Sequence, residues 1–148
     1  MEKNDLRYPL DELVDKRSIA QLKIERIENI EDKARLQEEY RHHTLAIEQY
    51  VAEGICTKAQ VRQWHQELYD SNGRTWDLEA AIRKGQLGDL QDIHVLAEIG
   101  RTAIKIRESN GVRVAIKSKI VETIGIGYKD IKINHASQDV LKDYRSNP

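Results

Sequence analysis

Apolar residues recur every three or four positions along most of this chain, the spacing that places them on one face of an α-helix. Leu10, Leu13, Ala20, Ile24, Ile27 and Ala34 form the first stripe, widened by Val14, Ile19 and Leu22. Pro9 stands at its start, followed by Asp11 and Glu12 where a helix dipole favours negative charge, so a helix is predicted to begin near residue 9. Asn29-Ile30-Glu31-Asp32 resembles a weak capping box, which either starts a new helix or kinks the first; the spacing leaves both open. Leu36, Tyr40, Thr44, Ile47 and Val51 carry a stripe to Gly54, a natural residue to follow a helix C-terminus. Thr57-Lys58-Ala59-Gln60 fits the capping box and predicts a helix from Lys58 to about Lys84, with Gly85 and Gly88 in the turn. Asp89 is then the expected cap of a last helix over roughly 90–124, about 50 Å long at 1.5 Å per residue and ending at Gly125.

Proline is confined to Pro9 and Pro148, so no imino acid between them forces a break. The predicted fold class is all-α: an elongated antiparallel bundle of three to four long helices with coiled-coil-like stripes, because short links at 53–57 and 85–88 leave neighbouring helices antiparallel. Residues 1–125 are expected to form this helical bundle domain. Residues 126–148 are expected to form a short irregular C-terminal tail, since the helical spacing stops at Gly125 and 134–148 are polar. Should the chain not fold back at Asn29, the stripe of Leu10, Leu13, Ala20 and Ile24 lacks a cover of its own. Either a fourth helix or a second subunit supplies it, and a symmetric homodimer is the preferred expectation because closed two-fold pairs are the commonest assembly.

Composition narrows the partners. The 148 residues carry 24 Lys+Arg against 25 Asp+Glu, a formal net charge of −1, which argues against nucleic acid or an anionic membrane as a partner. Cys56 is the single cysteine, which excludes an intramolecular disulfide or a cysteine-based zinc site. No apolar run approaches the ~20 residues of a membrane span and no apolar leader opens the chain, so a cytoplasmic protein is expected. Ser-Asn-Gly occurs at 71–73 and again at 109–111, and both are read as lying inside helices because the apolar spacing passes through them without a change of phase.

Polar residues interrupt two of the stripes. The third segment reads Val61, His65, Leu68, Asn72, Thr75, Glu79, Ile82, and the fourth reads Ile99, Ala103, Ile106, Asn110, Arg113, Lys117, Ile120, Ile124. A buried polar group left unpaired costs about 1–3 kcal/mol, so these side chains must pair with one another or line a wet cleft. With a turn centred near 86–87, antiparallel partners have numbers summing to about 173. That sets Asn72 opposite Arg101, Glu79 near His94, Asn110 level with Gln63 and His65, and Arg113 and Lys117 beside the 53–57 loop. One reading is an internal network that fixes register and association, as polar core positions do in coiled coils. The other is a cleft for a small anionic ligand, in which Arg101, Arg113 and Lys117 hold the anion, Asn72 and Asn110 orient it, and Glu79 is the candidate acid or base. Residues 101–119 carry six basic side chains against one acid, but the acidic excess over 25–53 balances them without any ligand. Trp64 and Trp76 are read as packing residues.

Catalytic motifs are thin. Cys56 precedes a helix start without an evident His–acid pair and reads as an inert thiol. Of the two Glu-x-x-His pairs a di-iron bundle needs, only Glu39 to His42 fits. Glu28/Glu31 and Glu67/Asp70 have the spacing of the acidic pairs of helical nucleotide pyrophosphatases, yet such doublets are common on charged helices. No metal and no cofactor are expected.

Asp15-Lys16 with Leu22-Lys23-Ile24-Glu25-Arg26-Ile27, then Leu68, Asn72, Trp76, Glu79 and Ile82-Arg83, then Asn110, Arg113 and Lys117, together resemble a bacterial family of uncharacterised all-helical proteins. The shared patterns are N-x3-W-x2-E-x2-IR and a later N-x2-R-x3-K, over about residues 10–124. The resemblance implies no assigned activity, and it marks the same polar set that the stripes single out. The expectation is a non-catalytic helical interaction or assembly module; the alternative is a binding protein or enzyme for a nucleotide, sugar nucleotide or phosphosugar in an inter-helix polar cleft.

Overall fold

The computed structural model describes residues 7–127. Four helices follow one another: α1 (Leu10–Arg26), α2 (Ile30–Ala52), α3 (Lys58–Gln86) and α4 (Ile93–Ile124), with no strand among the described residues. The chain is an all-α bundle. Most of the expected tail, residues 128–148, lies outside the described residues. None of the four helices is long and apolar enough to cross a membrane.

At Asn29 the side chain accepts the Asp32 backbone N–H at 3.0 Å and caps a new helix, and the packing of that helix along α1 settles the ambiguity. The chain folds back there. Arg17 of α1 meets Thr44 of α2, and the Tyr50 hydroxyl donates to the Tyr8 carbonyl at 2.8 Å, so α1 and α2 run antiparallel. Packing of α2, α3 and α4 around α1 buries eight of its 17 residues. The α1 stripe is thus covered within one chain and requires no second subunit.

Apolar packing concentrates at one end, where the start of α1, the end of α2, the start of α3 and the end of α4 meet. Leu10, Val14, Ile47, Tyr50, Trp64, Leu68 and Ile120 are each no more than 4% exposed there. Each such side chain stabilises the fold by about 1.5–3 kcal/mol relative to exposure. Gly54 (φ +75°) and Gly125 (φ +70°) end α2 and α4 in the left-handed conformation that other residues resist. The Thr57 capping box forms as expected, and both Ser-Asn-Gly sequences lie within continuous helices.

The α3 to α4 connection differs from expectation. Asp92, not Asp89, caps α4 by accepting from the His94 N–H at 2.8 Å, while Asp89 accepts from Gln91 N–H inside the turn. The later start moves the register. Ser71 pairs with Ser109, and the Gly85 backbone lies against Ile99, which is two to three turns past a pairing that sums to about 173. Beyond the end of α1, where Arg26 meets Asp77, α3 and α4 continue as a two-helix arm. Val95, Ile99, Thr102, Ile106 and Ser109 turn toward α3. Ile93, Leu96, Ala97, Gly100, Ala103 and Ile104 form a second stripe that is exposed throughout.

Candidate functional site

Above the apolar end lies a polar layer built from three helices. Asp15 on α1 is fully buried, and Arg113 on α4 grips it with a fork: Nε lies 3.1 and 3.0 Å from its two carboxylate oxygens and Nη2 lies 2.5 Å from Oδ2. The planar guanidinium suits this two-point hold in a way an ammonium does not. Asn72 on α3 donates from Nδ2 to Asp15 Oδ1 and to Ser18 Oγ, both at 2.9 Å, and Ser18 in turn donates to the Asp15 carbonyl at 2.6 Å. One turn further along α4, Lys117 Nζ lies 2.6 Å from Glu12 Oε1, with the lysine side chain 8% exposed. On the far side of α3, Thr75 and Ser109 share a 2.6 Å hydroxyl contact, and small side chains there let α3 and α4 approach closely.

A hollow of about 310 Å3 opens beside this layer. Ile19 and Leu22 form its apolar wall, and Asn72, Thr75, Trp76, Glu79, Arg83, Asn110 and Arg113 complete it. The Arg26 guanidinium stands 5.6 Å from the Trp76 ring centre. The structure therefore brings Asn72, Glu79, Asn110 and Arg113 to one place, with Lys117 in the adjoining buried pair. Arg101 does not join them. It is exposed on the arm and pairs with Glu98 at 3.0 Å, because the register shift carries it away from Asn72. Glu79 and Asn110 are exposed members of the rim.

Glu12, Asp15 and Ser18 are the members the sequence analysis missed. The stripe test that exposed Asn72 and Arg113 finds Asp15 and Ser18 when applied to α1, since Asp11, Asp15, Ser18 and Leu22 follow the same spacing and all four are buried; Glu12, half-buried and off that spacing, it does not find. Asp15 was in view only within the Asp15-Lys16 pair of the family resemblance.

These acids decide the electrostatics. Arg113 and Lys117 are matched one for one by Asp15 and Glu12, so an incoming anion meets cations that already hold carboxylates. Thr75 brings a hydroxyl to the hollow, already bonded to the Ser71 carbonyl at 3.2 Å and to Ser109 Oγ at 2.6 Å, and the described residues include no group of three or more metal-binding side chains. Burial pushes the Cys56 thiol above its usual pKa, which suppresses its thiolate. No family model, curated protein or solved structure matches the chain.

Proposed function

We propose that this chain is a non-catalytic helical interaction module that pairs with a second copy of itself through the α3–α4 arm. The supporting observation is the second apolar face of α4. Ile93 is 73% exposed, Leu96 48% and Ile104 59%, with Ala97, Gly100 and Ala103 between them and no charged side chain within the strip. Contiguous apolar surface of this kind marks association sites. A strip on a straight helix complements itself when two copies meet antiparallel about a two-fold axis. Gly100 has open space where a side chain would stand, so two helices can approach closely there. Leu87 and Leu90, exposed at the arm's tip, add apolar surface toward the ~800 Å2 per partner that a stable dimer buries. The buried ion pairs then serve to hold α1, α3 and α4 in register behind that surface. Cytoplasmic location belongs to the same reading, supported by a single buried cysteine.

The alternative, a small anion held by Arg113 and Lys117, requires that anion to displace Asp15 and Glu12, which favours the structural use of these pairs. Sedimentation velocity over a concentration series tests the module reading. Wild-type protein is expected at twice the 17.1 kDa chain mass, and Ile104→Glu combined with Leu96→Glu at one chain mass with unchanged helix content. Wild type remaining at one chain mass throughout the series contradicts it.

A further inference from the structure

A second groove, of about 480 Å3, lies among α1, α2 and α3 on the other side of the bundle, and its basic side chains are not matched by carboxylates as those of the first are. Arg17, Lys58 and Arg62 face it against the single carboxylate of Glu48. Arg7, Arg113 and Lys117 each meet a carboxylate, but half-buried Arg17 makes no ion pair among the described residues. Its Nε instead donates to His65 Nδ1 at 3.1 Å, Nη1 reaches Thr44 Oγ1 at 3.4 Å, and its plane stands 5.5 Å from the Tyr40 ring centre. His65 is fixed as an acceptor on that side because its Nε2–H donates to Gln21 Oε1 at 2.6 Å. Neutral groups thus orient a partly desolvated cation that Glu48 attracts across the groove without forming an ion pair, and Nη2 takes part in none of these bonds. Burial holds the Arg17 guanidinium below its usual pKa, against the pull of Tyr40 and Glu48. The entry of α3 has the same character: its first turn holds no acid and places Lys58 at the positive end of the helix dipole, where a cation is disfavoured.

We propose that this groove binds a small phosphate ester, with Arg17 as the anchor for the phosphate, Lys58 and Arg62 as further positive contacts, and the Tyr40 ring and adjoining apolar wall receiving the organic part. A phosphate supplies the contacting counter-charge that Glu48 does not and matches the fork of the guanidinium. The bonds from His65 and Thr44 hold that fork in place before any ligand arrives. The proposal is independent of self-association, which uses the opposite end of the molecule.

Calorimetric titration of the full chain at low salt, with the His65 ring followed by NMR, tests it with inorganic phosphate, adenosine 5′-monophosphate and glucose 1-phosphate. At least one ester is expected to bind with a Kd of about 1 mM or tighter and to shift the His65 resonances. Lys58→Ala and Arg62→Ala, both at exposed positions, are expected to weaken it about three- to tenfold each, and Arg17→Gln to abolish it. Arg83→Ala, on the rim of the first hollow, is expected to leave it unchanged. Should Arg17→Gln fail to fold, the Lys58 and Arg62 variants decide. No response to any of the three compounds, equal affinity for inorganic phosphate and both esters, or binding that survives the Lys58→Ala/Arg62→Ala double variant overturns the proposal.

Discussion

Asp15 is fully enclosed and receives hydrogen bonds from Arg113 and Asn72, so removing its carboxylate takes the acceptor from a half-buried amide and from a guanidinium one-third exposed at the hollow. Asp15→Ala is expected to lower stability by about 2–3 kcal/mol, since the exposed part of Arg113 regains water, measured by urea unfolding with the slope unchanged. His65 answers to pH. Burial, with Arg17 beside it, lowers its pKa from 6.5 to about 4, so between those values the unfolded chain takes up the proton more readily than the folded one. Its contribution is therefore complete above pH 6.5 and is lost as pH falls toward 4. A decline of about 1–2 kcal/mol between pH 7 and pH 5 is expected, after allowing for partial solvent screening, and His65→Gln should flatten it. Residue types in stripes were readable as anomalies on α3 and α4. Which acid satisfies which base was not, because Asp15 and Arg113 are separated by 98 positions and no local pattern links them.

Helix ends were legible wherever a side chain bonds its own backbone. Thr57 and Gln60 close both halves of a capping box, and Gly54 and Gly125 take the left-handed conformation, each a local matter. Thr57→Ala is expected to cost about 1 kcal/mol of stability in thermal or urea unfolding. The start of α4 was misread for an equally local reason: Asp89 and Asp92 each accept a backbone N–H two residues on, and local chemistry does not rank them. The later cap, together with α3 running on to Gln86, moves every cross-helix pairing, and Arg101 leaves the site. Gly73 lies inside α3 with Leu22 Cδ2 3.5 Å from where a side chain would begin, an ordinary contact distance. Gly73→Ala should therefore stabilise the helix by about 0.5–1 kcal/mol, seen as a higher unfolding midpoint.

At the scale of the molecule, apolar packing holds one end, an ionic layer holds the middle, and the arm projects with an apolar face uncovered. The all-helical class followed from periodicity and the scarcity of proline. The fold-back did not, since a capped Asn29 fits a kink as well as a hairpin until α2 is seen lying along α1. The Asp15–Arg113 pair joins the first helix to the last and thereby closes the bundle around α1. A double-mutant cycle on Asp15→Ala and Arg113→Ala, read by urea unfolding, measures that tie directly. Arg113→Ala, which leaves the buried Asp15 carboxylate unpaired, is expected to cost about 3–5 kcal/mol and Asp15→Ala about 2–3 kcal/mol, with the double change little more than the larger, leaving a coupling of about 2 kcal/mol or greater. Costs that simply add, with coupling near zero, would contradict an ionic layer that locks the helices in register.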